Sequence, residues 1–148
     1  MNDLYPPELD EFGLSAAVES HVSEICRETG IKVAFKQVEE IPRGEKGTEL
    51  AVFRIIQEAV SNLVKHSGAD SADIAIGRNL QSVWFQVSDE GQGLQFENKM
   101  KPVGNKGRGL LFINERARQI HGTINIHSEP LEGTHIFLTI PIEVWCHT

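Results

Sequence analysis

Residues 83–93 read Val-Trp-Phe-Gln-Val-Ser-Asp-Glu-Gly-Gln-Gly. The run Val83-Trp84-Phe85-Gln86-Val87 alternates as a half-covered strand does. It leads to a carboxylate, Asp89, and then to two glycines one residue apart, Gly91 and Gly93. Glycine lets the backbone approach a ligand closely and take dihedrals that other residues avoid. An acid at a strand end, followed by such a turn, suggests a ligand pocket. A plain turn is the alternative that these residues alone leave standing.

Working outward, a strand at 72–76 (Ala-Asp-Ile-Ala-Ile) precedes this one, joined to it by a turn near Asn79. Before that pair lies a helix ending near His66, stopped by Ser67-Gly68, with Thr48 as its expected cap. Further upstream, Leu14, Ala17, Val18, Val22 and Ile25 recur at helical spacing between Gly13 and Gly30, and Ile31, Val33 and Phe35 alternate. Residues 39–47 form a polar loop. Residues 1–12 hold Pro6, Pro7 and several acids and read as a linker or lead-in. Downstream, 94–106 has no clear period, and a loop of that length in a compact domain is usually functional. Leu110, Ile113, Ala117 and Ile120 then recur as a helix that Gly122 stops, and two strands follow, around Ile124-Ile126 and Ile136-Leu138-Ile140. The order α-β-α-β-β-loop-α-β-β, with neighbouring strands able to pair as hairpins, predicts a mixed sheet with helices on one face.

The helix at 50–66 carries two stripes. Phe53, Ile56, Val60 and Leu63 share one; Glu58, Asn62 and Lys65, with His66 beside them, share another roughly opposite. A wet outer face is one reading. The other is a ligand face, because it offers an acid, an amide and a base in turn. An amide oxygen with water suits Mg²⁺, a lysine meets phosphate as a point charge, and a glutamate can orient a nucleophile. Residues 104–109, Gly-Asn-Lys-Gly-Arg-Gly, sit where the next helix starts. Helix N-termini bind anions, and Lys106 and Arg108 add positive charge there. No GxxxxGK[ST] P-loop occurs, and no strand leads directly into this cluster.

Composition narrows the classes. The chain has 148 residues, 40% hydrophobic and 24% charged, which fits one soluble domain. No apolar run reaches the ~20 residues of a membrane span. A net charge of −7 disfavours nucleic acid and anionic membrane as partners. Cys26 and Cys146 are too few and too far apart for a disulfide framework, so reduced thiols in a cytoplasmic protein are expected. His121, His127 and His135 lack any CxxC or HExxH company and read as strand and cap residues. Ser61 and Ser88 have no triad context, and Trp84 and Trp145 read as packing residues.

These pieces, in this order, resemble the ATP-binding domain of sensor histidine kinases, within the superfamily that also holds DNA gyrase, the large heat-shock chaperone and mismatch-repair ATPases. Glu58-Ala59-Val60-Ser61-Asn62-Leu63-Val64-Lys65-His66 resembles the N box, 89–93 the first glycine box, Gly107-Arg108-Gly109-Leu110 the second, and Gly133-Thr134 the short motif on the last strand. Asn114-Glu115-Arg116-Ala117, His121-Gly122 and the opening Leu4-Tyr5-Pro6-Pro7-Glu8-Leu9-Asp10-Glu11-Phe12-Gly13-Leu14 are similar to the subfamily paired with LuxR/NarL-type response regulators. The resemblance implies an α/β two-layer sandwich, the Bergerat ATP-binding fold, with a mixed, mostly antiparallel sheet and helices on one face. It makes 1–12 the end of the dimerisation and phosphoacceptor region with its linker, and 13–148 the ATP-binding catalytic domain.

The resemblance also assigns roles. Asp89 would accept a hydrogen bond from the adenine amino group, with Thr134 supporting it through water. Gly91 and Gly93 would pass close to the nucleotide and hinge a lid formed by 94–106. Asn62 would ligate Mg²⁺, with Lys65 and His66 near phosphate or ribose. Lys106, Gly107, Arg108, Gly109 and Leu110 would frame the phosphates. Glu58 is the N-box acid, the position that activates water in the superfamily's ATPases. The implied cofactors are ATP and Mg²⁺. The implied partners are the dimerisation domain of the same protein, as a homodimer, and a response regulator. Glu90 departs from the family, which often has Asn there. The phosphoacceptor histidine, followed by an acid, is expected upstream, since His21 is followed by Val22. An ATP hydrolase or remodelling ATPase of the same superfamily and a degenerate nucleotide-binding module stand as alternatives.

Overall fold

A computed structural model describes residues 5–66, 71–89, 104–129 and 133–146, with side chains for all of these except 65–66, 104–110 and 128–129. The described elements are α1 (Pro7–Phe12), α2 (Leu14–Thr29), β1 (Lys32–Gln37), α3 (Lys46–His66), β2 (Ser71–Arg78), β3 (Ser82–Asp89), α4 (Gly104–Gln119), β4 (Thr123–Glu129), β5 (Gly133–Pro141) and α5 (Ile142–Cys146). Five strands form one sheet in the order β1-β2-β3-β5-β4. β1 and β2 run parallel and every other neighbour pair is antiparallel. This is the mixed, mostly antiparallel sheet that the strand order predicts.

One face of the sheet is covered. Ala72, Ile74 and Ile76 on β2, Val83, Phe85 and Val87 on β3, and Ile136, Leu138 and Ile140 on β5 are buried. The alternate residues Asp73, His135 and His127 are exposed. Helix α3 supplies Val52, Phe53, Ile55, Ile56, Ala59, Val60 and Leu63 to the same core. Full burial of one such large apolar side chain contributes about 1.5–3 kcal/mol. The buried set runs wider than the single stripe read from the sequence, because α3 is flanked by α2 and packs most extensively against α4.

Local chemistry fixes the boundaries. Gly30, at φ 78°, ends α2 and donates to the Cys26 carbonyl. Asn79 closes the β2–β3 hairpin, its Oδ1 accepting from the Gln81 and Ser82 N–H groups at 2.8 Å each. Helix α3 starts before the expected cap. Its capping side chain is Glu45, whose Oε1 accepts from Thr48 N–H at 2.9 Å and Thr48 Oγ1 at 3.0 Å. Helix α4 starts at Gly104, earlier than the 110 expected from apolar spacing, so the glycine-rich cluster lies in its first two turns. At its other end His121 takes a left-handed φ of 59°, with its N–H on Arg118 and the Gly122 N–H on Ala117 at 2.8 Å. That is a Schellman-type stop with histidine where glycine is usual.

Two short helices escaped the sequence reading. Helix α1 falls in the stretch read as linker, yet its Leu9 is 0% exposed. Helix α5 buries Trp145, whose Nε1 donates to the Pro42 carbonyl at 2.7 Å and whose ring tilts against Phe85. A clamp joins these ends to α3. Glu49, 1% exposed in the first turn of α3, takes Arg43 Nε at 3.1 Å and Nη2 at 3.2 Å, and the Gly44 N–H at 2.9 Å. The same Nη2 donates to the Leu9 and Asp10 carbonyls of α1, both at 3.2 Å. Glu49 holds the Arg43 guanidinium above its ordinary pKa.

Two stability predictions follow from these contacts. Arg43→Ala leaves a buried carboxylate with one backbone donor among its described contacts, and a urea titration is expected to show a loss of about 2–3 kcal/mol. His121→Gly relieves the left-handed backbone and is expected to gain roughly 0.5–1 kcal/mol in the same assay.

Candidate functional site

The register builds one end of the site. Ala72 pairs with Asp89, Ser88 with His135 and Ser128 with Thr134. One step past Ser88–His135, the same register sets Asp89 beside Thr134. Val33, Ala72, Asp89, Thr134 and Ser128 therefore form a row across all five strands. Asp89 is 0% exposed and Thr134 1%. They continue the covered rows of β3 and β5, so both belong to the face under the helices. A carboxylate that deep in an apolar layer is costly unless donors meet it.

Helix α3 brings the second part. It ends at His66, and β2 begins at Ser71, so the C-terminal end of α3 and the row through Ala72 and Asp89 share one end of the domain. Asn62 lies one turn back from that end, about 6 Å along the axis. It is 4% exposed and falls on the buried stripe with Ile55 and Ala59. Its Nδ2 has no hydrogen-bond partner among the described residues. Glu58 lies on a different stripe, with Arg54, Gln57 and Ser61, which stays partly open. The two residues stand one turn apart on neighbouring stripes, Asn62 buried and Glu58 partly open.

That open stripe is the floor of a groove between α2, α3 and α4, about 590 Å³ in volume, with Glu58, Arg54, His21, Phe112 and Arg116 among its walls. His21 packs edge-on against Phe53 at 6.1 Å between ring centroids. Burial pushes its imidazole below the ordinary value, against the opposing pull of Glu24 and Glu28. Arg54 donates from Nη1 to Gln57 Oε1 at 2.8 Å. Sequence reading missed Arg54 and Arg116 as wall residues. Their helical spacing to Glu58 and Phe112, four residues each, was the available signal.

The other expected positions are only partly visible. Glu90, Gly91, Gly93 and 94–103 of the expected lid lie outside the described residues. Lys65 and His66 are the last residues of α3. Lys106, Gly107, Arg108, Gly109 and Leu110 fall in the first turns of α4; none of these side chains is described. Among the described residues no group of three or more His, Cys, Asp or Glu could hold a metal. His127 and His135 face each other across β4 and β5, and His121 is the cap of α4. Cys26 and Cys146 are free thiols, and no described helix is long and apolar enough to cross a membrane.

Residues 47–144 match the family described as histidine kinase-, DNA gyrase B- and HSP90-like ATPase, a span holding Glu58, Asn62, Asp89 and Thr134. The chain belongs to this ATPase family. Oxygen sensor histidine kinase NreB of Staphylococcus carnosus is 34% identical over 140 residues, covering 95% of this chain and 40% of that protein. Signal transduction histidine-protein kinase/phosphatase DegS of Brevibacillus brevis is 32% identical, covering 95% and 35%. The chain therefore spans well under half of either relative. In fold it is similar to the histidine kinase domain of the Erythrobacter litoralis EL346 blue-light activated histidine kinase, with TM-score 0.70, 19% identity, and 88% of this chain and 61% of that one covered. The catalytic domain of histidine kinase ThkA gives TM-score 0.65 at 18% identity, covering 86% and 90%. An ATPase domain implies ATP binding.

The groove has a pH signature. Burial lowers the His21 pKa in the fold, so below its ordinary value of 6.5 the unfolded chain binds more of the extra proton than the folded one. Stability is thus present above that value and lost as pH falls toward the lowered folded value. Denaturant titrations between about pH 7 and about pH 5 are expected to show this decline, and His21→Gln to flatten it.

Proposed function

We propose that this chain is the ATP-binding catalytic domain of a two-component sensor histidine kinase. In this reading it binds Mg-ATP and donates the γ-phosphoryl group to a histidine on the dimerisation domain of the same homodimeric protein. Residues 1–12 are the end of the region arriving from that domain, and 13–148 the catalytic domain. A LuxR/NarL-type response regulator then takes the phosphoryl group. The setting is cytoplasmic. Likeness to NreB and DegS along nearly the whole chain supports the kinase over the hydrolase reading.

The observation that carries the nucleotide assignment is the fully buried Asp89 beside Thr134. A carboxylate is acceptor-only when ionised, and an exocyclic adenine amine offers the matching donor. The Asn62 Oδ1 would hold Mg²⁺, and its buried Nδ2, without a partner among the described residues, is a donor that would meet a phosphate oxygen. Bound Mg²⁺ would neutralise charge on the phosphates. The N-terminal turn of α4, Gly104–Gly107, offers backbone N–H groups and the positive dipole end. Gly109 lies one turn further in. Gly91 and Gly93 would hinge the lid, and Lys65, His66, Lys106, Arg108 and Leu110 would line the phosphate end. Glu58, on the open stripe, faces the side from which an outside nucleophile can arrive and would orient it. The histidine nitrogen attacks phosphorus, the bond to the ADP oxygen breaks, and positioning carries the catalysis.

Calorimetric titration with Mg-ATP tests this. Asp89→Asn, which removes the charge and replaces one of two acceptor oxygens with a donor, is expected to weaken binding by roughly tenfold or more. Lys65→Ala is expected to weaken it much less. Equal affinity of wild type and Asp89→Asn sinks the adenine assignment. Steady ATP turnover by the isolated chain, lost in Glu58→Ala, overturns the kinase reading in favour of a hydrolase.

A further inference from the structure

Among the described residues, the groove between α2, α3 and α4 contains a cation with a buried donor that meets no acceptor. Arg116 sits on α4 with its guanidinium carbon 4.2 Å from the centroid of the Phe112 ring. Its Nε is buried and has no hydrogen-bond partner among the described residues. Burial, and then the neighbouring Arg54, push its pKa below the ordinary value. Glu28 and Glu58 also line the groove, yet neither forms an ion pair with Arg116 among the described residues. A desolvated guanidinium N–H left unmet costs more than an ordinary hydrogen bond gives back. A second positive charge nearby raises that cost. Such an arrangement persists where an anion completes it, since the planar fork matches a carboxylate or phosphate with two parallel bonds.

We infer that Arg116 is the seat of an oxyanion-binding site in the open groove beside Glu58. Phe112 forms its floor, its ring centroid 4.2 Å from the guanidinium carbon. Arg54 adds positive field from α3. The ligand is a phosphate or carboxylate group. Two sources have that chemistry: the terminal phosphate of a bound nucleotide and an acidic group entering the groove from outside. The inference does not rest on the nucleotide assignment, because the groove and the unmet Nε are present without it.

Arginine side-chain NMR tests it directly, since each Nε–Hε group gives its own ¹H–¹⁵N signal. The Arg116 signal is assigned by its loss in Arg116→Lys, a variant that keeps the charge and lacks the fork. Inorganic phosphate, added at constant ionic strength against chloride, is expected to shift that signal along a saturating curve. In Arg116→Lys, phosphate binding followed through the Arg54 signal is expected to be roughly tenfold weaker. Phe112→Leu, which keeps an apolar floor, is expected to retain the saturable shift at reduced affinity. Repeating the titration with a saturating non-hydrolysable Mg-ATP analogue separates the sources. If the analogue itself shifts Arg116 and blocks phosphate, the terminal phosphate fills the seat. If phosphate still binds, the seat is open to an acid from outside. A linear, unsaturating response, or one that chloride reproduces, overturns the site. Because phosphate alone is the probe, that result is independent of whether adenine binds at Asp89.

Discussion

The position of β3 between β2 and β5 is the constraint on which the site depends. A strand has a side-chain period of two, so a slip of one residue would turn Asp89 to the open face and bring Ser88 inward. The alternation of Val83, Phe85 and Val87 with Trp84 and Gln86 sets which face is buried, and the Asn79 turn sets where the hairpin begins. Asp89 is therefore inside because three apolar residues before it are inside. Thr134 is beside it because Ile136, Leu138 and Ile140 obey the same rule on β5. The apolar core is the ruler by which one acid is placed.

Helix α3 divides its labour between adjacent stripes. The stripe of Ile55 and Ala59 carries Asn62 into the interior, whereas that of Arg54, Gln57 and Ser61 keeps Glu58 at the groove. In the proposed function, an amide that holds a cation gains from a dry, fixed setting, while an acid that meets an incoming group must stay reachable. One helix meets both demands because successive stripes differ by only about 40° for residues four apart. The clamp at Glu49 fixes the rotation of the whole helix from its first turn, and so fixes both stripes together.

Much of this was legible from period and punctuation. The central strands, the stop at Gly30 and the turn at Asn79 were each signalled by residues with a local mechanism. The cap of α3 was misplaced because a glutamate, Glu45, does work that threonine usually does. The start of α4 was hidden because glycine-rich sequence carries no apolar period, so spacing alone could find only the part beyond Leu110. Helix α1 looked like linker because its one buried anchor, Leu9, stands among prolines and acids. Long-range partners were beyond any single-sequence reading. Nothing in the spacing of Arg43 and Glu49 says that one guanidinium also reaches carbonyls more than thirty residues upstream. The candidate acid, amide and threonine were named from motifs, but their arrangement as a row and two stripes needed the sheet.

The Arg43 clamp has a consequence for what counts as a unit here. Likeness to the ATPase family begins at residue 47, after α1, α2 and β1. Yet β1 completes the sheet beside β2, α2 covers part of the core, and Arg43 and Leu9 bind α1 to the start of α3. The start of the family match and the border of physical cohesion therefore do not coincide. A segment cut at the first would leave a sheet edge bare and a buried carboxylate without its cation. On these contacts the cohesive unit is the larger piece, with α1 part of the folded body.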